Sequence, residues 1–221
     1  MNPVDLRLYG IVDPAVGRGR DLGALALEAV AGGCTLVQYR DKQAATRAAV
    51  EQARALKAAL DGTGVPLLVN DRVDVALAAG ADGVHLGGDD MHPADARRLL
   101  GEGALIGVTL KRAEDADALA DLPVDYGCVG GVFATASKPN PDAPIGLGGL
   151  ASLVARARAA RRMPVGAIAG IDAANAAFVI AAGADGVAVI SALFAADNVA
   201  AAARDLRGIV DRSLASRGAL A

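Results

Sequence analysis

Short apolar runs alternate about eight times along this chain with longer, Ala-rich segments of helical period. Each apolar run is typical of a β-strand that is buried on both faces, and each Ala-rich segment is typical of a helix that covers the sheet. Strand–helix alternation sustained this often predicts an α/β fold of the closed TIM (β/α)8 barrel type, with one domain over residues 1–221. A doubly wound open sheet is the alternative, although such sheets usually have fewer strands.

The apolar runs and the helical periods also predict where each element lies. Strands are predicted at Leu6–Val12, Leu36–Arg40, Pro66–Val69, Gly83–Leu86, Leu105–Val108, Tyr126–Val129, Val165–Ile168 and Gly186–Ile190. Helices are predicted near 21–32, 43–60, 72–79, 93–99, 113–120, 148–161, 172–182 and 198–214.

Composition agrees with the barrel and excludes several classes of function. The 221 residues fit one barrel, and with 53% hydrophobic but 3% aromatic residues the core must consist of Ala, Val, Leu and Ile. The net charge of −3 is spread along the chain without a basic face, so we expect no nucleic-acid partner. No apolar run reaches membrane-spanning length, and the N-terminus lacks a secretory signal pattern. With only two cysteines, these features predict a cytoplasmic protein without a membrane partner.

A seven-residue stretch occurs twice without change. The sequence AAGADGV fills positions 78–84 and returns at positions 181–187. In each copy a helix is predicted to stop at a glycine, which tolerates left-handed cap geometry, and a strand begins almost at once. We therefore expect αβ turns on the stability face of the barrel, which places the chemistry at the opposite ends of the strands.

The end of the second strand carries the strongest signal for anion binding. Side chains alternate along a strand, so Gln38, Arg40 and Lys42 should all point towards the barrel mouth. A structural ion pair could account for one of these cations. Two cations and an amide in one row favour an anion, because the Arg fork and the Lys point charge both suit phosphate.

The third and fourth strands end on groups suited to a metal ion. Asn70 and Asp71 end the third strand, while His85 and, a few residues later, Asp90 follow from the fourth. Two carboxylates facing a cationic cluster predict Mg²⁺ held between them and a phosphate group. Asp71 could instead be the N-cap of the next helix, and His85 could be a core histidine with satisfied hydrogen bonds.

The remaining strand ends predict a second phosphate site. The longest connection follows the sixth strand and contains Thr135, Ser137 and Lys138 among glycines and prolines, which is typical of a binding loop. Loop hydrophilicity alone is the simpler explanation. After the last two strands, Gly170 and Ser191 are placed to offer backbone N–H groups, as phosphate sites in such barrels commonly do.

Taken in order, these segments resemble the thiamine phosphate synthase family. The matching stretches run from Leu8 to Phe194 and are LYGIVDP, VQYRDK, VNDRVDVALAAGADGVHLGGDD, IGVTL, DYGCVGGVFATASK and AIAGIDAANAAFVIAAGADGVAVISALF. The resemblance implies a Mg²⁺-dependent transferase that joins the pyrimidine-methyl group of hydroxymethylpyrimidine diphosphate to thiazole phosphate. Diphosphate would leave through a carbocation-like intermediate.

The resemblance also implies a role for each matching residue. Arg40, Lys42 and Lys138 would act on the leaving diphosphate together with Asn70, and Asp71 and Asp90 would hold Mg²⁺. The residues implied for the pyrimidine and the thiazole phosphate are Gln38, His85, Thr109, Thr135, Ser137, Gly170, Ile190 and Ser191. These assignments agree with those made from the strand ends.

The chain also departs from the family pattern. Gly88 replaces a Gln and Ala169 replaces a Gly in ligand-facing loops, whereas Thr109 replaces a Ser and retains the hydroxyl. The nearest alternative function is the related thiazole tautomerase, which would have little use for the cations and carboxylates. A catalytically silent thiazole-phosphate-binding protein is a second alternative. The sequence leaves the oligomeric state open, a homo-oligomer included.

Overall fold

Eight parallel strands close into a barrel in the computed structural model, which describes residues 4–135 and 143–219. Each strand pairs with its neighbours in sequence, and the last strand pairs with the first. The strands are β1 (Leu8–Val12), β2 (Leu36–Tyr39), β3 (Leu67–Asn70), β4 (Gly83–Leu86), β5 (Leu105–Leu110), β6 (Tyr126–Val129), β7 (Val165–Ile168) and β8 (Val187–Val189). The predicted TIM barrel is confirmed, and the open doubly wound sheet is excluded.

Helices surround the barrel on the outside. They are α1 (Pro14–Gly17), α2 (Leu22–Ala31), α3 (Thr46–Ala59), α4 (Val73–Ala79), α5 (Pro93–Leu100), α6 (Ala113–Ala118), α7 (Gly146–Ala160), α8 (Ala176–Ala181), α9 (Ser191–Phe194) and α10 (Val199–Gly218). Within the described residues, no helix combines the length and the hydropathy that crossing a membrane requires. The sequence did not predict the short helices α1 and α9, and α8 begins four residues later than expected because Asp172 and Asn175 first close a turn.

Two apolar cores follow from the alternation of side chains along the strands. Outward-facing Val and Leu side chains pack against the helices in one large cluster. Inward-facing side chains form a smaller cluster that fills the lower part of the barrel. The buried members of that inner cluster are Leu6, Tyr9, Ile11, Leu36, Leu68, Tyr126, Cys128 and Ala188. Two of the chain's three tyrosines therefore lie inside the barrel rather than at its surface.

Aspartates at the amino-terminal face fix the pairing of neighbouring strands. Asp82, which precedes β4, accepts a hydrogen bond from the backbone N–H of Leu67 at 2.8 Å, at the start of β3. Asp185 does the same for Val165 at 2.9 Å, across β8 and β7. These two aspartates belong to the repeated AAGADGV stretch, so the repeat marks a structural device on the face away from the site.

The glycine after each of these aspartates is required by close packing. A Cβ atom on Gly83 would lie 1.8 Å from the carbonyl oxygen of Leu105, and one on Gly186 would lie 1.7 Å from that of Leu6. Any side chain would push the strand away from the neighbouring backbone. The Asp-Gly pairs thus set the register of neighbouring strands at the amino-terminal face. This register determines which residues of each strand reach the carboxyl-terminal face.

Candidate active site

A cavity of about 430 Å³ opens at the carboxyl ends of the strands. Each of the eight strands contributes to its walls, as expected for a site in this fold. The predicted site residues that line it are Gln38, Arg40, Asn70, His85, Thr109, Thr135, Gly170, Ile190 and Ser191. Ser137 and Lys138 lie outside the described residues.

Arg40 is held against the cavity by a buried carboxylate that sequence reasoning missed. Its guanidinium donates to the Asp13 carboxylate, and both side chains are largely buried, with 12% and 6% of their surface exposed. Asp13 follows β1 and also accepts from the backbone N–H of Ala15 at 2.9 Å, which caps α1. The only signal in the sequence was Asp13 followed by Pro14, a helix-start pattern with no hint of the ion pair.

Lys42, Asp71 and Asp90 form a cluster beside the cavity rather than in its wall. The Lys42 ammonium donates to the Asp71 carboxylate, although Lys42 itself is half exposed. Asp71 adopts left-handed backbone geometry with φ of 60°, and its backbone N–H donates to the carbonyl of His85 at 2.9 Å. Arg72, not Asp71, is the residue that precedes α4, so the alternative of an Asp71 N-cap is wrong.

The two carboxyl groups of this cluster are close enough to interact. Burial raises the pKa of Asp90, and a hydrogen bond with Asp71 raises it further. The backbone N–H of Gly87 donates to the Asp90 carboxylate at 2.7 Å and fixes it in place. Because an adjacent cation would favour the ionised form of both groups, the pair has the electrostatic character of a cation site.

The donor set fits Mg²⁺. This ion commonly binds one or two carboxylates together with phosphate oxygens and water. Asp71 and Asp90 supply two carboxylates, and within the described residues no third His, Cys, Asp or Glu joins them. Arg40 and Asn70 in the nearby cavity wall suit the phosphate oxygens that such an ion would share.

The floor of the cavity is polar, although it is buried. Tyr9, Tyr126 and His85 pack edge to face or tilted, with ring centroids 5.6–6.3 Å apart. Gln38 donates to the Tyr9 hydroxyl, and His85 contacts the hydroxyl groups of both Tyr126 and Thr109 at 2.9 Å. His85 is thus both a buried residue with satisfied nitrogens and part of the cavity wall, which joins the two interpretations that the sequence left open.

The opposite wall is built from the ends of β6, β7 and β8. The backbone N–H of Phe133 donates to the carbonyl of Ala169 at 3.1 Å, so the start of the long connection is attached to the end of β7. A Cβ atom on Gly170 would lie 2.3 Å from the carbonyl oxygen of Ala134, which leaves room for glycine only. Ala169 has a φ of 92°, a strained conformation for a residue with a side chain.

The fold and the cavity define a (β/α)8-barrel enzyme with its site at the carboxyl ends of the strands. The sequence pattern of the family "Thiamine monophosphate synthase" matches residues 8–193. The chain is 55% identical to a thiamine-phosphate synthase of Agrobacterium fabrum, over 98% of this chain and 99% of the relative. It is 51% identical to one of Chloroflexus aurantiacus, over 94% of each.

A solved structure agrees with these relatives. The thiamine phosphate pyrophosphorylase of Pyrococcus furiosus superposes with a TM-score of 0.83 at 36% identity, covering 96% of this chain and 98% of that one. The chain belongs to the thiamine monophosphate synthase family, and the resemblance seen in the sequence is confirmed. It is accordingly a transferase of thiamine biosynthesis that acts on small molecules.

Proposed function

We propose that the protein transfers the pyrimidine-methyl group of hydroxymethylpyrimidine diphosphate to thiazole phosphate and releases diphosphate in a Mg²⁺-dependent reaction. One observation carries the proposal. The Asp71–Asp90 pair, with Lys42 bound to it, lies beside the cavity wall that holds Arg40 and Asn70. A diphosphate with a divalent cation needs this combination of carboxylates and cations.

Arg40 and Lys42 would bind the diphosphate and stabilise the charge that develops on it as it leaves. Arg40 is already oriented by Asp13, so little rearrangement is needed when the substrate binds. Asp71 and Asp90 would hold Mg²⁺, which when bound supplies Lewis-acid stabilisation of the leaving diphosphate. From the family resemblance, Lys138 would complete the cationic set.

The pyrimidine would lie on the polar floor and the thiazole phosphate against the opposite wall. Gln38, His85 and Thr109 present amide, imidazole and hydroxyl groups at the floor. Thr135 and, by resemblance, Ser137 would bind the thiazole phosphate together with backbone groups at the ends of β7 and β8. Those backbone groups are at Gly170, Ile190 and Ser191.

The chemistry follows from this arrangement. The C–O bond between the pyrimidine methylene carbon and the diphosphate breaks, the electron pair leaves with the diphosphate, and the thiazole nitrogen forms the new C–N bond to that carbon. No proton has to be removed before the bond forms, so the site needs positioning and charge stabilisation rather than a general base.

Two of the departures from the family pattern change a loop rather than exchange one hydroxyl for another. Gly88 is exposed, and a Cβ atom there would meet no other atom within 4 Å. Ala169 lines the cavity on the thiazole side. Neither position is among the residues assigned to the diphosphate or to Mg²⁺.

The experiment supplies both substrates with Mg²⁺ to the purified protein and identifies the product by mass. We expect thiamine phosphate, formed only when both substrates are present. The parallel reaction supplies the non-aromatic thiazole phosphate tautomer alone. Aromatisation of that tautomer without any thiamine phosphate in the first reaction would favour the tautomerase, and binding without either product would favour the silent binding protein. The cytoplasmic location stays a prediction from the sequence, which leaves the oligomeric state open.

A further inference from the structure

Arg20, which does not line the cavity, joins two of the connections that form its walls. It lies between α1 and α2, and its guanidinium donates to three backbone carbonyls. Nε donates to the carbonyl of Gly17 at 3.1 Å, Nη1 to that of Ala196 at 3.0 Å, and Nη2 to that of Phe194. Gly17 ends α1 and Phe194 ends α9, so Arg20 holds the carboxyl ends of these two helices together.

The chemistry of these acceptors explains why an arginine is needed at this position. Carbonyls in the last turn of a helix have no partner within the helix, and a cation there also interacts favourably with the helix dipole. A planar guanidinium can donate in several fixed directions at once, whereas a lysine ammonium is a single point charge. Within the described residues, every hydrogen bond of the Arg20 guanidinium ends on a backbone carbonyl, so its role is to hold the backbone.

Strand pairing does not reach the two helices that Arg20 joins. The ladder between β1 and β8 ends with the pair Gly10 and Val189, and both α1 and α9 begin beyond that pair. The buried Phe194 ring packs on Gly10, where a Cβ atom would lie 3.2 Å from its Cζ. Beyond the end of the ladder, this packing and the Arg20 hydrogen bonds hold α9 against the connection that follows β1.

The opposite ends of α1 and α9 lie at the two phosphate subsites of the proposed reaction. Asp13 caps α1 and accepts from Arg40, which is assigned to the diphosphate. Ile190 and Ser191, at the start of α9, line the cavity where the thiazole phosphate is assigned. Each helix has four residues and is therefore about 6 Å long. A shift at the carboxyl end of either helix is thus carried directly to a subsite.

We propose that Arg20 is a positioning residue that sets the spacing between the two phosphate subsites. This inference rests on the proposed function, in which each substrate is held by its phosphate groups. The spacing then determines the distance between the thiazole nitrogen and the pyrimidine methylene carbon. Reacting atoms must approach to about 3–3.5 Å, and a misplacement of about 1 Å can slow a reaction by about 100-fold. Each phosphate keeps its own binding groups when Arg20 is lost, so the effect falls on the rate rather than on binding.

The first test measures amide hydrogen exchange in the full-length protein without substrates. In Arg20→Met the amides of α1 and α9 should exchange at least about tenfold faster, because short elements that lose their contacts open locally. Arg54→Met is the matched control. Arg54 also donates twice to a backbone carbonyl, that of Ala78 in α4, at 2.8 and 3.2 Å. Its loss should change exchange near α4 only.

The second test measures the rate of bond formation in a single turnover with both substrates and Mg²⁺. Arg20→Met should slow this step by about 100-fold. The KM of each substrate should change by less than about threefold, because the lost interaction acts on the transition state rather than on binding. Arg20→Lys keeps the charge but not the fork, so its rate should lie between the two, and it replaces Arg20→Met should that variant not fold. Arg54→Met should react at the wild-type rate.

The proposal and the function on which it rests fail in different ways. Unchanged exchange in α1 and α9 of Arg20→Met would overturn the proposal, whatever the wild type catalyses. A wild-type rate in Arg20→Met, a loss confined to KM, or an equal loss of rate in Arg54→Met would also overturn it. Absence of thiamine phosphate with the wild type would contradict the proposed function, and the exchange measurement would still test whether Arg20 holds the two helices.

Discussion

The carboxyl group of Asp90, which follows β4, interacts with that of Asp71, which follows β3, and Asp71 contributes to the raised pKa of Asp90. Two such groups would repel each other if both were ionised without a cation. Lys42 offsets part of this repulsion by donating to Asp71. The protein therefore has a pair of carboxylates whose arrangement is unfavourable alone and favourable with a divalent cation, which leads to a prediction about pH and stability.

Asp90→Asn should stabilise the protein at pH 7 when Mg²⁺ is absent. The pKa of Asp90 is raised in the folded state, so its ionisation disfavours folding above that pKa, and this effect is lost below the unfolded value of about 4. The variant should lose its advantage as the pH falls to about 4. Asn keeps an oxygen for the Gly87 N–H. Urea unfolding at both pH values measures the effect.

Addition of Mg²⁺ at pH 7 should make the wild type more stable than Asp90→Asn, because only the wild type retains both carboxylates to bind the ion. Asp89→Asn is the matched control, since Asp89 is the exposed neighbour of Asp90, and it should behave as the wild type throughout. If Mg²⁺ stabilised Asp90→Asn as strongly as the wild type, Asp90 would not be a ligand of the ion.

Asp71→Asn and Lys138→Ala should slow turnover far more than they weaken the binding of thiazole phosphate. Both residues are assigned to the diphosphate end, and loss of one preorganised group that stabilises developing charge typically lowers kcat by about 100-fold or more. Steady-state kinetics and calorimetry with thiazole phosphate separate the two effects. Asp74→Asn, at an exposed ion pair with Arg72, is the control. Near-native turnover of either variant would remove its assigned role.

Asp13→Asn should both destabilise the fold and weaken the binding of the pyrimidine diphosphate. Removing one partner of a buried ion pair leaves the other charge uncompensated and lowers the free energy of unfolding by about 3 kcal/mol. Asn can still cap α1, so the loss of stability measures the ion pair with Arg40 rather than the helix cap. The KM for the diphosphate substrate should rise by about tenfold.

The control for this variant is Asp21→Asn, which changes the corresponding cap of α2 at an exposed position. Its stability and its KM should stay close to those of the wild type, because Asn caps helices as well as Asp does. Equal effects in both variants would mean that Asp13 acts only as a helix cap.

Ala169→Gly should stabilise the protein or leave its stability unchanged, unlike most Ala-to-Gly changes. Relief of the left-handed strain at φ of 92° is worth about 1–2 kcal/mol, and the greater freedom of glycine in the unfolded chain offsets about 0.4–1 kcal/mol of that. Ala173→Gly in the following exposed turn has no such strain and should destabilise by about 0.5–1 kcal/mol. Thermal unfolding of both variants gives the comparison. Equal losses of stability in the two variants would contradict the strain assigned to Ala169.

The barrel and most of its site were predictable because both depend on local sequence patterns. Eightfold alternation predicts the fold, and the fold directs attention to strand ends, where Arg40, Asn70 and His85 line the cavity. The start of α8 was predicted too early, since helical period continues through the Asp172–Asn175 turn and gives no sign of it.

Residues that act through distant partners were not predictable in this way. Asp13 and Arg40 are 27 positions apart, and Tyr9 and Tyr126 are 117 apart. A buried tyrosine on a strand has the same pattern as any core residue, so only the packed barrel shows that its hydroxyl belongs to a polar network. The missed residues are therefore those that orient other side chains of the site, whereas several groups that line the cavity were visible at strand ends.

The most direct test of the proposed reaction is the rate of diphosphate release with both substrates present, measured with Mg²⁺ and again after its removal with a chelator. We predict one diphosphate released for each thiamine phosphate formed, with both falling to background when Mg²⁺ is removed. Diphosphate release or thiamine phosphate formation that continues unchanged without a divalent cation would contradict the assignment of the Asp71–Asp90 pair, and a folded protein that releases no diphosphate under either condition would contradict the proposed reaction itself.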